Sequence, residues 1–216
     1  MFNLQSANAS YKDEIVLTDI TLHIPAGQKL ALVGHSGSGK STLIKLLYEQ
    51  RPKDIALVPQ DYGLVASLSV YHNVYMGQLG RQSVGYNLLN LIKPLKKPVA
   101  EVEQILQEMQ LSDKLFEPVA QLSGGQQQRT SIARAIMQGG DILLADEPVS
   151  SLDEQQSKLV MSLLCRLFDT VVLAMHDIDL ALAYCDRIIG LDHGRITIDE
   201  AAKNLKREDL LELYGE

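Results

Sequence analysis

The sequence predicts an α/β fold built on a parallel sheet, and three observations carry that prediction. Short apolar runs, Leu30–Val33, Ile55–Val58, Ile142–Ala145 and Thr170–Met175, each end on polar residues. Continuous apolar runs of this length suit strands buried on both faces, as in a parallel sheet. Between them lie segments whose leucines, isoleucines and valines recur at helical spacing. Finally, Gly34-His35-Ser36-Gly37-Ser38-Gly39-Lys40-Ser41, followed by Thr42, fits G-x-x-x-x-G-K-[ST] between such a run and such a helix.

That loop dictates the first functional expectation. Its glycines let successive backbone N–H groups turn inward around phosphates, at the positive end of the following helix. Lys40 is expected to reach the β and γ phosphates, and the Ser41 hydroxyl to ligate Mg²⁺. A nucleoside triphosphate is the expected ligand.

Composition bounds the rest. At 216 residues the chain is long enough for one well-buried domain, spanning 1–216, and too short for two full ones. Its 46% hydrophobic and 22% charged content are ordinary for a soluble globular protein. No apolar run approaches the roughly 20 residues of a membrane-spanning helix, and Met1–Gln5 lacks the pattern of a signal peptide. A net charge of −7 argues against nucleic acid or acidic lipid as a partner. At a membrane, a protein partner would have to hold it there. Cys165 and Cys185 lie in helical patterns without metal-ligand spacing and read as buried, reduced thiols.

In chain order, Phe2, Leu4, Ile20, Leu22 and Ile24 mark period-two strands. Tyr11, at the end of the first, suits either edge packing or stacking on a base. Arg51–Asp54 breaks the helix after the phosphate loop. Strand Ile55–Val58 then delivers Gln60 to the sheet's carboxyl edge, beside that loop, although from composition alone an exposed loop glutamine is the stronger reading. From Ser67 to Met137 the pattern is helical: Val102, Ile105, Leu106 and Met109 share a face behind a first-turn Pro98, and Gly77–Pro98 reads as a loop with a short helix whose lysines are solvated.

Ser123, followed three positions later by Gln126, is a capping-box start, with Gly124 and Gly125 leaving the first N–H groups unobstructed. An anion site and an ordinary capped helix both remain open there. Strand Ile142–Ala145 hands over Asp146 and Glu147. With a phosphate loop in the same chain, Asp146 is placed to hold Mg²⁺ and Glu147 to orient or deprotonate the attacking water. Asp153 caps the next helix. Strand Thr170–Met175 delivers His176, able to bond a γ-phosphate or the water-positioning carboxylate. Strands at Ile188–Leu191 and Ile196–Ile198 are joined by the turn Asp192-His193-Gly194, where His193 reads as a turn residue. A leucine-rich C-terminal helix (Leu205, Leu210, Leu211, Leu213) reads as core, not a site.

In this order the pieces resemble the ATP-binding subunits of ABC transporters over essentially the whole chain. Leu122–Arg129 is similar to the family's signature sequence, Ile142–Glu147 to its Walker B strand, Ser150–Asp153 to its D-loop, Gln60 to its Q-loop and His176 to its switch histidine. Tyr11 falls where the family stacks an aromatic on adenine. The resemblance implies a P-loop NTPase core with a parallel sheet, an antiparallel β-subdomain and an inserted α-helical subdomain at about 62–135. It implies ATP and Mg²⁺ as cofactors, with Ser41, Gln60 and Asp146 on the metal and Glu147, His176 and Gln60 in catalysis. It further implies a head-to-tail homodimer in which each ATP lies between one copy's phosphate loop and the other's Ser123, Gly124, Gly125 and Gln126.

Gln60 and the helical region would dock integral-membrane permease subunits, fed by a solute-binding protein, at the cytoplasmic face of the inner membrane. Leu68–Val74, the spacer Gly77–Pro98, Leu122–Leu152, Tyr184–Ile189 and Leu213–Glu216 look most like the ATPases of phosphonate importers. An exporter or lipoprotein-release ATPase, or a soluble non-transport ABC protein, are the alternatives. One departure from the family stands out. Only twenty positions separate Lys40 from Gln60, about half the usual spacing, so a strand hairpin is expected to be trimmed there.

Overall fold

A computed structural model describes residues 1–11 and 14–214, with Tyr11 and Glu14 described by their backbone alone. The chain begins with an antiparallel pair, β1 (Phe2–Tyr11) and β2 (Glu14–Ile24), whose inward residues Phe2, Leu4, Leu17, Ile20, Leu22 and Ile24 are buried. A six-stranded sheet follows, containing β3 (Lys29–Val33), β4 (Ile55–Val58), β5 (Ile142–Asp146), β6 (Thr170–Ala174), β7 (Arg187–Asp192) and β8 (Arg195–Ala201). Its order is β4-β5-β6-β3-β7-β8, parallel throughout except for the edge pair β7–β8. All five residues of β5 and of β6 are buried, the burial that their unbroken apolar sequence requires.

Helices close the layers. α1 (Lys40–Gln50) leaves the phosphate loop and turns Leu43, Ile44 and Leu47 into the core. The connection from α1 to β4 is the short turn 51–54, held by Asp54 N–H donating to the Arg51 carbonyl at 3.1 Å and by an Arg51–Asp54 ion pair at 2.9 Å. No strand lies in it, in agreement with the trimmed hairpin.

The helical stretch comprises α2 (Val70–Tyr75), α3 (Val84–Ile92), α4 (Lys96–Glu108) and α5 (Gly124–Gln138). Two further helices, α6 (Glu154–Leu167) and α7 (Ile178–Tyr184), flank the parallel strands. Asp153 caps α6, its carboxylate accepting from Gln156 N–H at 2.8 Å. Lys93, Lys96 and Lys97 are exposed, as expected of a solvated face. Both cysteines are free, and burial pushes the Cys185 thiol far above the usual range. Among the described residues no helix is long and apolar enough to cross a membrane.

The C-terminal segment departs from the sequence expectation. It is α8 (Arg207–Leu211) between two 3₁₀ turns, not one leucine-rich helix, and Leu205 lies outside all three. Its leucines pack on the core as expected, with Leu210 fully buried, and Tyr214 at its end reaches the phosphate loop.

Candidate nucleotide site

Three parallel strands end side by side and build the site. β3 runs into the loop Gly34–Gly39, β5 ends at Asp146 and Glu147, and β6, between them, leads to His176. Register fixes the juxtaposition. Asp146 pairs with Ala174, Glu147 N–H donates to the Ala174 carbonyl at 2.9 Å, and Met175 N–H donates to Leu32 at 3.0 Å. Glu147 and His176 therefore meet across neighbouring strands, with His176 Nε2 3.0 Å from Glu147 Oε1.

Only a glycine fits at the start of the loop. Gly34 has φ +144, and a Cβ there would lie 2.2 Å from the Leu191 carbonyl oxygen. Lys40 is buried, and its Nζ donates to the Gly34 and His35 carbonyls at 2.7 and 3.0 Å. Burial lowers its pKa, while the nearby charges of Glu147 and Asp146 act in the opposite direction. The Asp146 carboxyl is pushed up by burial, with the adjacent Ser41 hydroxyl pulling it down.

Two buried oxygens in this cluster, Ser38 Oγ and Asp146 Oδ1, find no hydrogen-bond partner among the described residues. Unpartnered buried oxygens of this kind suit a ligand or cation. An unpaired carboxylate oxygen beside a serine hydroxyl is a hard-oxygen donor set that fits Mg²⁺.

Glu147 is held in an unusual backbone geometry, with φ +52. Such outliers persist only where surroundings enforce them, and they gather at functional sites. Here the enforcing groups are visible. The Glu147 carbonyl accepts from Gln128 Nε2 at 2.7 Å and from Ser150 Oγ at 3.2 Å. Gln128, itself 1% exposed, also accepts from Ser151 N–H at 2.9 Å. One buried glutamine on α5 thus ties the segment 150–153 to the backbone of Glu147.

The other expected residues lie as follows. Ser123 caps α5 in a full capping box. Its hydroxyl accepts from Gln126 N–H at 3.3 Å, and its own N–H donates to Gln126 Oε1 at 2.9 Å. Ser123 and Gly124 are exposed, and Gly125 packs so closely on this chain's own Ser151 that a Cβ would lie 2.9 Å from its carbonyl oxygen. Among the described residues no hydrogen bond joins Ser123–Gln126 to the phosphate loop.

Gln60 follows β4, the outermost strand, so β5 and β6 separate it from β3. The strand order places it next to the Asp146 end of β5. The adjoining Tyr62 is pinned from three sides. Its carbonyl accepts from Ser131 Oγ and from Arg134 Nη2, each at 2.8 Å, and its hydroxyl lies 2.8 Å from Ser151 Oγ. The Tyr11 side chain lies outside the described residues.

Two residues escaped sequence reading. Gln128 looks like one more polar position in a glutamine run. Tyr214 sits in the segment read as core, yet its hydroxyl accepts from the Gly34 N–H at 3.2 Å and its ring centroid is 6.4 Å from that of His176. That correction has a plain cause: Gly34, which donates to the Tyr214 hydroxyl, is 180 positions away in the chain. A groove of about 1020 Å³, lined by Glu147, Ser150, His176, Asp177 and Tyr184 among others, opens beside this cluster, and none of its walls comes from the phosphate loop.

Fold and site together define an ATP-hydrolysing phosphate-loop cassette. The model of the ABC transporter family matches residues 17–54 and 47–150. The two stretches meet between Lys40 and Gln60, where the hairpin is trimmed.

Phosphonates import ATP-binding protein PhnC of Rhizobium meliloti (strain 1021) is 32% identical over 100% of this chain and 87% of its own length. A phosphonates import ATP-binding protein of Pseudomonas savastanoi pv. phaseolicola, PhnC 1, is 38% identical over 93% of this chain and 86% of its own. Among solved structures, the dimeric structure of the bacterial ABC transporter cassette MJ0796 superposes with a TM-score of 0.81, at 27% identity, over 94% of this chain and 99% of that one. The same cassette is also known as a dimer in a post-hydrolysis state bound to ADP and Pi, with a TM-score of 0.78 at 27% identity, covering 93% of this chain and 98% of that one. The chain belongs to the ABC transporter family.

Proposed function

We propose that this chain powers an importer of phosphonate or a related phosphorus oxyanion, working as a homodimer on the cytoplasmic face of a membrane. The observation that carries the hydrolytic part is the 3.0 Å contact between His176 and Glu147 at the mouth of the phosphate loop. Support for the solute comes from the phosphonates import ATP-binding proteins that align over 93–100% of this chain.

In this reading the backbone N–H groups of Gly34–Gly39 and the Lys40 ammonium hold the phosphates, with Lys40 exchanging its two carbonyl partners for phosphate oxygens. Ser41, Asp146 and Gln60 would hold Mg²⁺, which supplies charge neutralisation on the phosphate oxygens. Glu147 accepts the proton of the attacking water, and His176 fixes the carboxylate that does so. Thr42 closes the loop on the phosphate side, and Tyr11 is proposed to stack on adenine.

The exposed N-terminus of α5, with Ser123 to Gln126, would meet the triphosphate of a second copy. Two features support this: a capped helix end with free leading N–H groups, and dimeric cassettes among the structural relatives. Gly125 lies on Ser151, and Gln128 ties Ser151 to Glu147. Closure on the partner's nucleotide would therefore be sensed at the catalytic carboxylate.

The helical region, residues 62–135, is the proposed docking platform for the permease. It carries apolar side chains facing solvent on α3, with Val84 84% and Ile92 77% exposed. Tyr62 and Gly63, strapped to α5, adjoin Gln60 and would carry movement inward.

The test is growth on a phosphonate as sole phosphorus source. In a strain deleted for this gene and lacking other phosphonate importers, the wild-type chain should restore growth and Glu147→Gln should not. Restored growth on phosphonate by the Gln variant would remove hydrolysis from the account. Unimpaired growth of the deletion strain would remove phosphonate.

A further inference from the structure

His35 belongs to the phosphate loop, yet its side chain takes no part in the hydrolytic scheme. It meets the β7–β8 turn instead. Its Nε2 lies 3.1 Å from Asp192 Oδ1, and His193 Nε2 lies 3.8 Å from the same oxygen. The two imidazoles approach edge-on with centroids 5.3 Å apart. One ligand atom from each of His35, Asp192 and His193 lies within 4.8 Å of the other two.

The hydrogen bonding of His35 is informative. Nδ1 is 2.6 Å from the Ser36 carbonyl oxygen and Nε2 faces a carboxylate oxygen, so both ring nitrogens point at acceptors. A neutral imidazole carries only one N–H. With that hydrogen donated to the Ser36 carbonyl, Nε2 turns a lone pair toward the carboxylate, a gap that a second proton or a metal cation can fill. A histidine held through one nitrogen by a carbonyl, with the other free to ligate, is the usual outer-shell pattern of metal sites.

The turn adds a second argument. His193 has φ +42 and Gly194 φ +74, the two positive values of a type I′ hairpin turn. Asparagine or glycine normally fills the first of these positions, so a histidine there is uncommon. The turn is also clamped to its surroundings. Thr18 N–H donates to the Gly194 carbonyl at 2.9 Å, and Gly194 N–H donates to the Ser38 carbonyl at 3.2 Å. The donors therefore come from two segments already fixed against each other.

We propose that His35, Asp192 and His193 form a binding site for a divalent transition ion of the zinc class. Two imidazoles and one carboxylate suit Zn²⁺, Ni²⁺ or Cu²⁺ and not the all-oxygen preferences of Mg²⁺ or Ca²⁺. The site is thus chemically separate from Asp146 and Ser41. His193 is 86% exposed, which gives the ion a path from solvent. An open cavity of about 480 Å³, which Glu212 and Tyr214 also line, leaves room for a water or a further carboxylate as fourth ligand. An ion here would link the phosphate loop to the turn of the neighbouring β7–β8 pair.

The experiment uses metal-free full-length protein titrated with Co²⁺, read by its visible absorption, and with Zn²⁺ against a chromogenic chelator. Wild type is compared with Asp192→Asn and with His193→Asn, the latter chosen because asparagine suits the turn. Neither residue takes part in hydrolysis, so ATP turnover in zinc-free buffer should be retained and reports that both variants are folded. Wild type should take up one equivalent, and each variant should bind at least about tenfold more weakly. Nitrogen-15 shifts of the His35 and His193 rings on adding Zn²⁺ to wild type give a readout independent of any substitution. No stoichiometric uptake would overturn the proposal, since a proton would then bridge His35 and Asp192. Unchanged affinity in both variants would overturn it too. So would a sulfur-to-cobalt charge-transfer band, which would place the ion on Cys165 or Cys185.

Discussion

Replacing Glu147 by Gln isolates the proton-accepting role from everything else the residue does. The substitution keeps side-chain shape, and the backbone at φ +52 stays anchored through the Ala174 and Gln128 contacts. The amide oxygen can still accept from His176, which sits 3.0 Å from Oε1. Fold, nucleotide affinity and the His176 contact should therefore survive.

What disappears is the base. A positioned general base contributes about 10²- to 10⁴-fold, or roughly 3 to 5 kcal/mol of barrier. The assay is steady-state phosphate release by the chain assembled with its permease, alongside nucleotide binding by the isolated chain. Turnover should fall by at least about 100-fold with affinity unchanged.

The role of His176 enters through a double-variant cycle. If His176 acts by orienting Glu147, adding His176→Ala to the Gln variant should slow it by no more than about threefold, because the two act as a unit. A Gln variant turning over within about tenfold of wild type would refute the assignment of Glu147. Fully multiplicative losses in the cycle would instead put His176 on the phosphate.

Three further outcomes follow from the same geometry. Gln128→Ala strands the Ser151 N–H and leaves the Glu147 carbonyl with Ser150 alone. It should cost about 1–3 kcal/mol in urea unfolding and lower kcat more than it changes KM. Gly34→Ala would drive a Cβ to 2.2 Å from the Leu191 carbonyl at a φ of +144. Equilibrium dialysis should find ATP binding lost, with a stability decrease of more than about 1 kcal/mol.

Asp146 carries a pH signature. Its folded-state pKa is raised above the ordinary carboxylate value by burial. Its contribution to stability is therefore fully present below the unfolded pKa and is lost as pH rises through the folded value. Urea midpoints of metal- and nucleotide-free protein should show that decline in wild type across this window and lose it in Asp146→Asn. Adding Mg²⁺ with ATP should stabilise wild type and have little effect on the variant.

Much of the nucleotide site was legible because its signals are local. Strands buried on both faces leave uninterrupted apolar runs, so Ile55–Val58 was read with its observed bounds, and β5 and β6 to within one residue. Each hands its polar side chain to the same edge of the sheet. The capping box of Ser123 and Gln126 was legible for the same reason, since both partners lie within one helical turn.

What escaped depends on contacts between distant segments. Strand order cannot be counted from spacing, and it sets two strands between β4, which delivers Gln60, and the phosphate loop's own strand. The five residues of α8 leave too short a period to separate a helix from flanking 3₁₀ turns. His193 looked like a turn residue because Asp192 is adjacent while His35 is reached only through the fold. The bond from Gln128 to Glu147 spans 19 positions and leaves no mark in a glutamine run.

The most direct measurement is ATP-driven uptake of radiolabelled phosphonate into proteoliposomes containing this chain and its permease, oriented by external addition of ATP or of the solute-binding protein. The account predicts accumulation that needs MgATP on the side of this chain and vanishes with Glu147→Gln. Phosphonate should also raise ATP turnover in the wild-type assembly. ATP hydrolysis that proceeds without moving phosphonate, or phosphonate uptake undiminished in the Gln variant, would contradict it.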